Sequence, residues 1–171
     1  MTNSTDKPDE RSIKVTPDDY QVPADQPRLL RFPQLGESAY IQRVGVDQDG
    51  RVAVPNNVSL AGWYVKSKKP GDAGLSIIDG HVAGHYRSGV FGRHGKMKKG
   101  DTIVVEYGDG SQRHFVVVDT QTVPEAKSSE LLFKREPDLE AQLNLITCAT
   151  YVPHTQTYTD RLIVIAKFVR S

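Results

Sequence analysis

Three residues far apart in the chain carry side chains that could act together on a carbonyl: Cys148, His81 and Arg161. A thiolate is a strong nucleophile, an imidazole exchanges protons near neutral pH, and a guanidinium stabilises a developing oxyanion. Cys148 is the only cysteine and ends the apolar stretch Leu145-Ile146-Thr147-Cys148. By itself, a cysteine at a strand end reads as a small buried hydrophobe. Its neighbours favour chemistry, because Ala149, Thr150, Tyr151 and His154 open a polar loop. Partial exposure beside a cation lowers a thiol from its reference of about 8.5 and makes it reactive.

The proton-transfer partner is less sharply marked. His114 falls inside a strand pattern, while His94 and His154 sit in polar segments that read as solvated. His81 and His85 follow an apolar run through Gly80 and Gly84, which let the backbone turn toward a cleft. Residue pattern alone does not choose between those two. No acidic or thiol set accompanies them at ligand spacing, so no metal site is expected, and no cofactor either.

The elements that must position these groups are short strands. A chain of 171 residues holds one domain with a sizeable core. Its net charge of +1 argues against a nucleic-acid partner, and a lone cysteine excludes an internal disulfide. No run reaches the roughly 18 apolar residues that would span a bilayer, and no signal-peptide core follows Met1. Residues 1–27 are polar and aperiodic, which predicts a disordered tail or juxtamembrane linker, with the ordered domain spanning 28–171. Pro33 favours an extended chain where structure begins. Strand patterns follow at Tyr40–Val46, Arg51–Pro55, Leu60–Val65 and Gly74–Ile78. Trp63 reads as core.

The clearest local signal is a hairpin: Asp101–Tyr107 and Gln112–Val118 are β-branched runs flanking Gly108-Asp109-Gly110-Ser111. Short helical turns are expected at Ser88–Arg93 and beyond Pro137, and a serine-capped helix at Ser128–Phe133. Leu143–Cys148 and Leu162–Val169 close the chain as strands joined by a polar loop. Many short strands with little helix predict a mainly β domain, a barrel or a sandwich.

Several motifs together resemble the sortase family. Gly80-His81-Val82, Gly89-Val90-Phe91 and Lys99-Gly100-Asp101 are similar to its pattern around the catalytic histidine. Leu145-Ile146-Thr147-Cys148 is similar to its Thr-Leu-x-Thr-Cys strand end, and Arg161 falls where the family keeps its arginine. Val44-Gly45-Val46-Asp47, Val54-Pro55 and Gly62-Trp63-Tyr64 resemble the class F branch. The likeness runs from about Arg28 to Val169. It selects His81, because Phe91 lies ten positions after it, as in sortases, and the count from His85 fails by four. Asp79 stands where the family commonly has alanine, and Ala149 and Thr150 replace its glycines.

The resemblance implies a single closed β-barrel of about eight strands with short helices in the connections. It also implies a cysteine transpeptidase acting on a Leu-Pro-x-Thr-Gly type sorting signal and an amine acceptor. Cys148 would form the thioacyl enzyme, His81 would transfer protons and Arg161 would hold the carbonyl. Thr147, Ala149, Thr150 and the loop at 120–135 would line the substrate groove. The expected setting is the extracytoplasmic face of a bacterial membrane, as a monomer tethered by an anchor upstream of this chain. Two other readings stand beside it: an L,D-transpeptidase, whose Ser-x-Gly-Cys motif is missing here, and a non-catalytic β-barrel binding module with Cys148 buried.

Overall fold

The hairpin signalled by the β-branched runs is present in a computed structural model, which describes residues 20–56, 59–81 and 94–170. Strands β5 (Thr102–Tyr107) and β6 (Gln112–Pro124) pair antiparallel, with Val104 opposite His114. Gly110 takes the left-handed φ of 85° that the turn requires. Asp109 Oδ1 accepts from Ser111 N at 2.8 Å and from Ser111 Oγ at 2.6 Å, which closes the turn.

The remaining strands are β1 (Pro27–Phe32), β2 (Glu37–Val44), β3 (Ala61–Tyr64), β4 (Gly74–Gly80), β7 (Ala141–Val152) and β8 (Thr157–Val169). They close a barrel in the order β1-β2-β3-β4-β7-β8-β6-β5. The β2–β3 and β4–β7 pairs are parallel, and the others antiparallel. The expected closed barrel of about eight strands is therefore the fold, with one α-helix among the described residues, α1 (Glu125–Leu132), between β6 and β7.

Apolar side chains alternate between two cores. Leu30, Phe32, Ile41, Ile78, Ile103, Phe115, Leu143, Leu145 and Val164 fill the barrel. Ile77, Ile146, Ile163 and Ile165 point outward and bury against Val44, Val52 and Leu132 of α1. Strands β4, β7 and β8 are covered on both faces, which is why Ile77-Ile78 and Leu162–Ala166 read as continuous apolar runs. Each such side chain contributes roughly 1.5–3 kcal/mol when fully buried. Trp63 belongs to the barrel core, and its indole donates to Lys68 O at 3.1 Å. Residues 20–26 lie against the barrel, where Tyr20 stacks on Tyr40 at 4.6 Å and donates to Ile41 O at 2.8 Å.

The chain ahead of Pro33 is extended in β1, as expected, and Pro33 opens a 3-10 turn, Pro33–Leu35, closed by Gly36 at φ 64°. Local expectations differ in three places. Arg51–Pro55 forms only an isolated bridge, Val46 to Val52. The helix begins at Glu125, so Ser128 does not cap it; its hydroxyl donates back to Glu125 O at 2.7 Å. Beyond Pro137 there is a turn, with Leu139 N donating to Glu136 O at 3.1 Å. The turns expected at Ser88–Arg93 lie outside the described residues.

Buried amides on β7 tie α1 to the barrel. Asn144, 0% exposed, donates from Nδ2 to Leu132 O at 2.8 Å, satisfying a carbonyl at the helix end. Gln142 Nε2 donates to Asn144 Oδ1 at 2.9 Å and to Lys134 O at 3.2 Å, while Gln142 Oε1 accepts from Glu136 N at 2.8 Å. Asn144→Ala should cost about 1–3 kcal/mol in urea unfolding, because it strands a helix carbonyl and a glutamine donor. A variant as stable as the parent would show that this network contributes nothing.

Candidate active site

Parallel pairing brings the carboxyl ends of β4 and β7 to the same rim of the barrel. Asp79 is the last β4 residue in register, opposite Ile146. One step on, Thr147 Oγ1 donates to Gly80 O at 2.9 Å and fastens the two strand ends. The next residues are His81 and Cys148. Strand β8 runs back along β7 with Arg161 opposite Cys148. Three residues distant in sequence thus lie at one rim, Cys148 and Arg161 on paired strands and His81 just past the end of β4.

They also share a face. Ile77, Ile146 and Ile163 belong to the outer core, and side chains two residues along a strand return to the same side. Asp79, His81, Cys148 and Arg161 therefore continue that outer row. Asp79 therefore lies on the same side as the thiol, and its charge acts on Cys148. Adding a Cβ to Gly62 on β3 would collide with Asp79 Oδ1 and come within 3.0 Å of Pro55 and Val44 side-chain atoms. Glycine at 62 makes room for the carboxyl group.

Electrostatics at the rim are mixed. Arg161 is only 4% exposed. Its Nη1 donates to Asp160 O at 2.8 Å and Tyr158 O at 3.2 Å, and Nη2 pairs with Glu125 Oε1 at 3.2 Å. Cys148 is half-buried, and burial pushes its thiol above the ordinary value of 9.0; Arg161 pulls it down, while Glu125 and Asp79 push it further up. Asp79 is 0% exposed with neither oxygen hydrogen-bonded, and burial drives its carboxyl well above 3.8. His81 Nε2 lies 2.7 Å from Pro55 O. A carbonyl only accepts, so in this arrangement Nε2 carries the proton.

The segment after Cys148 is not the polar loop expected from its composition. Strands β7 and β8 continue as a two-stranded ribbon to the turn at 153–156, pairing Ala149 with Asp160 and Tyr151 with Tyr158. The two tyrosine rings lie 5.1 Å apart. Thr150 turns left-handed, φ 60°, and its hydroxyl donates to Asp160 Oδ2 at 2.7 Å. Ala149 is half-buried and Thr150 exposed on this ribbon, while Thr147 is buried behind it. His114 lies on β6 and His154 in the exposed turn. His85 lies outside the described residues, as does the Gly89-Val90-Phe91 motif. Glu125 escaped sequence reasoning, since a glutamate after a proline signals no more than a helix start. Among the described residues no cluster of His, Cys, Asp and Glu could hold a metal ion, and no helix is long and apolar enough to cross a membrane. A cavity of about 660 Å³ between β1, β2 and the approach to β3 includes none of the candidate residues.

A family model described as a sortase domain matches residues 30–169. Among solved structures, sortase C-1 from Actinomyces oris is similar, with a TM-score of 0.63 and 20% identity over 84% of this chain and 73% of that one. Sortase A from Corynebacterium diphtheriae matches with a TM-score of 0.64 and 22% identity over 87% of this chain and 64% of that chain. Sortase A from Listeria monocytogenes matches with a TM-score of 0.62 and 20% identity, covering 84% and 86% respectively. At these identities the structures show a shared fold. A search of curated proteins finds no match.

The buried Asp79 makes a signed pH prediction. A carboxyl whose folded value is raised stabilises the fold fully below its unfolded value, and that contribution is lost as pH rises toward the folded value. Asp79→Asn keeps the shape without the charge. Its stability relative to the parent should therefore increase between about pH 4 and pH 7. Parallel melting curves for the two proteins across that range would contradict the burial of an unpartnered carboxyl.

Proposed function

This chain belongs to the sortase family, and on that premise we propose that it is a cysteine transpeptidase of the class F type, cleaving a Leu-Pro-x-Thr-Gly type sorting signal. The observation that carries the reading is the pairing of Cys148 with Arg161 across β7 and β8, with His81 one residue past the end of the neighbouring strand. Cys148 gives its thiol proton to His81, Sγ attacks the threonine carbonyl carbon, and Arg161 stabilises the oxygen as charge develops. The carbon–nitrogen bond breaks, and His81 gives a proton to the departing amine. An incoming amine then gives a proton to His81 and displaces Sγ, forming the new amide.

The chemistry fits what each group is. An arginine stays charged and offers several donors, so it serves an oxyanion without titrating. A thioester divides amide exchange into two easier steps and lets an amine compete with water. Because burial pushes the Cys148 thiol up, Arg161 is the group that makes its ionisation less costly. Ala149 and Thr150 are assigned to the substrate groove with the segment at 120–135. Thr147 contributes by holding Gly80, and hence His81, against the nucleophile strand. The role proposed is attachment of surface proteins to the cell wall, on the extracytoplasmic face of a bacterial membrane. Of residues 1–27, the polar stretch ahead of Tyr20 would serve as a linker to an anchor, since residues 20–26 lie against the barrel and Pro27 opens β1.

Labelled peptides varied around Leu-Pro-x-Thr-Gly test this directly. Cys148→Ala should abolish cleavage, His81→Ala should lower it about 10²–10⁴-fold, and Arg161→Ala about 10²–10³-fold. His85→Ala should stay near the parent. Cleavage persisting in Cys148→Ala would sink the proposal, and loss in His85→Ala with retention in His81→Ala would overturn the choice of histidine.

A further inference from the structure

Arg161 has a counter-ion that the transfer scheme does not use. Glu125, the first residue of α1, places Oε1 3.2 Å from Arg161 Nη2. The same oxygen lies 3.5 Å from Arg51 Nη1. Arg51 is gripped in turn by its own turn: Asp49 Oδ2 is 2.8 Å from Nη2, and Asp47 Oδ2 is 3.7 Å from Nε. Asp47 Oδ1 also accepts from Asp49 N and Arg51 N, both at 2.9 Å, which fixes the turn. One carboxylate oxygen therefore bridges a guanidinium that is 4% exposed and another that is 33% exposed.

We propose that Glu125 is a positioning residue for the transfer reaction: it holds Arg161 Nη2 at rest, and Arg51 sets how much of its charge reaches the Cys148–Arg161 pair. The proposal rests on Cys148 and Arg161 acting as nucleophile and carbonyl-binding group. Three observations support it. Arg161 Nη1 is already committed to two main-chain carbonyls, and buried Nε has no hydrogen-bond partner among the described residues, so Nη2 is the arm that Glu125 holds. Glu125 is 40% exposed and stands at the junction of β6 and α1, so it can yield Nη2 to an incoming carbonyl without leaving a buried charge. The same carboxylate opposes Arg161 in its effect on the thiol.

Among the described residues, the groups whose charge acts on Cys148 have opposing effects. Arg161 and Tyr158 come from β8, Asp79 from β4 and Glu125 from α1, with His81 just past the end of β4. Glu125 is the one among them that is shared with a second cation. Removing its charge should favour the thiolate. Removing the charge of Arg51 should act the other way, by leaving the Glu125 charge uncompensated. A merely structural contact would give both variants the same sign.

The test is the pH profile of Cys148 alkylation by iodoacetamide, which needs no turnover. Below the thiol pKa the rate follows the thiolate fraction, partly offset because a less basic thiolate is less nucleophilic. Near neutral pH, Glu125→Gln should alkylate about twofold or more faster than the parent, and Arg51→Gln about twofold slower. Arg51→Gln should have no further effect in the Glu125→Gln background. Glu125→Asp, which keeps the charge, should stay close to the parent and serves if the glutamine variant is unstable. Effects of equal sign, or an Arg51 effect that survives in the double variant, would overturn the proposal. An unchanged profile for Glu125→Gln would do the same. Alkylation that follows the pattern in a protein that cleaves no sorting peptide would instead count against the transpeptidase reading, leaving the coupling intact.

Discussion

Everything at the rim depends on strand register. Asp79 opposite Ile146 and Cys148 opposite Arg161 are consequences of two hydrogen-bond ladders that share β7. A slip of one residue in either would move its whole set of side chains to the other face. The slip is resisted on both sides, because Leu145 and Val164 fill the barrel while Ile146 and Ile163 fill the outer core. Thr147 adds a local lock through its bond to Gly80 O. The same apolar packing that stabilises the barrel thus decides which polar groups face one another beyond its end.

That arrangement is held against electrostatic cost. Among the described residues, the buried carboxyl of Asp79, on the row that carries the thiol, has no hydrogen-bond partner, and the buried Arg161 guanidinium has one carboxylate, Glu125, as its counter-ion. Neither is what packing alone would select, since desolvated polar groups destabilise a fold unless satisfied. Such groups gather at sites where chemistry is done. The outer core makes this possible by excluding water from one side of these groups.

Legibility in the sequence followed the physical source of each element. The β5–β6 hairpin was plain because β-branched runs and an Asp-Gly turn state it locally. The closure of the barrel was not: residue patterns allowed a sandwich as well, and the resemblance to sortases was needed to choose. The ribbon from Ala149 to Asp160 read as a loop because backbone ladders and a tyrosine pair hold it, with no apolar alternation to announce it. Ser128 looked like a cap, but Pro124 and the end of β6 start the helix at Glu125. Cys148 and Arg161 could be singled out from their places at strand ends. The residues alone left His81 and His85 equal, and Glu125 and Arg51 were invisible because their meeting depends on chain segments 74 residues apart.

The proposed chemistry stands or falls on whether Sγ of Cys148 is the atom to which a sorting signal is covalently passed. Intact-mass spectrometry of the protein mixed with a Leu-Pro-x-Thr-Gly peptide, quenched in acid without added amine, tests it most directly. The account predicts an adduct equal to the peptide portion ending in threonine, mapped to Cys148 and released by hydroxylamine. Peptide cleavage with the acyl group on another residue, or with an unmodified Cys148 at every quench time, would contradict it.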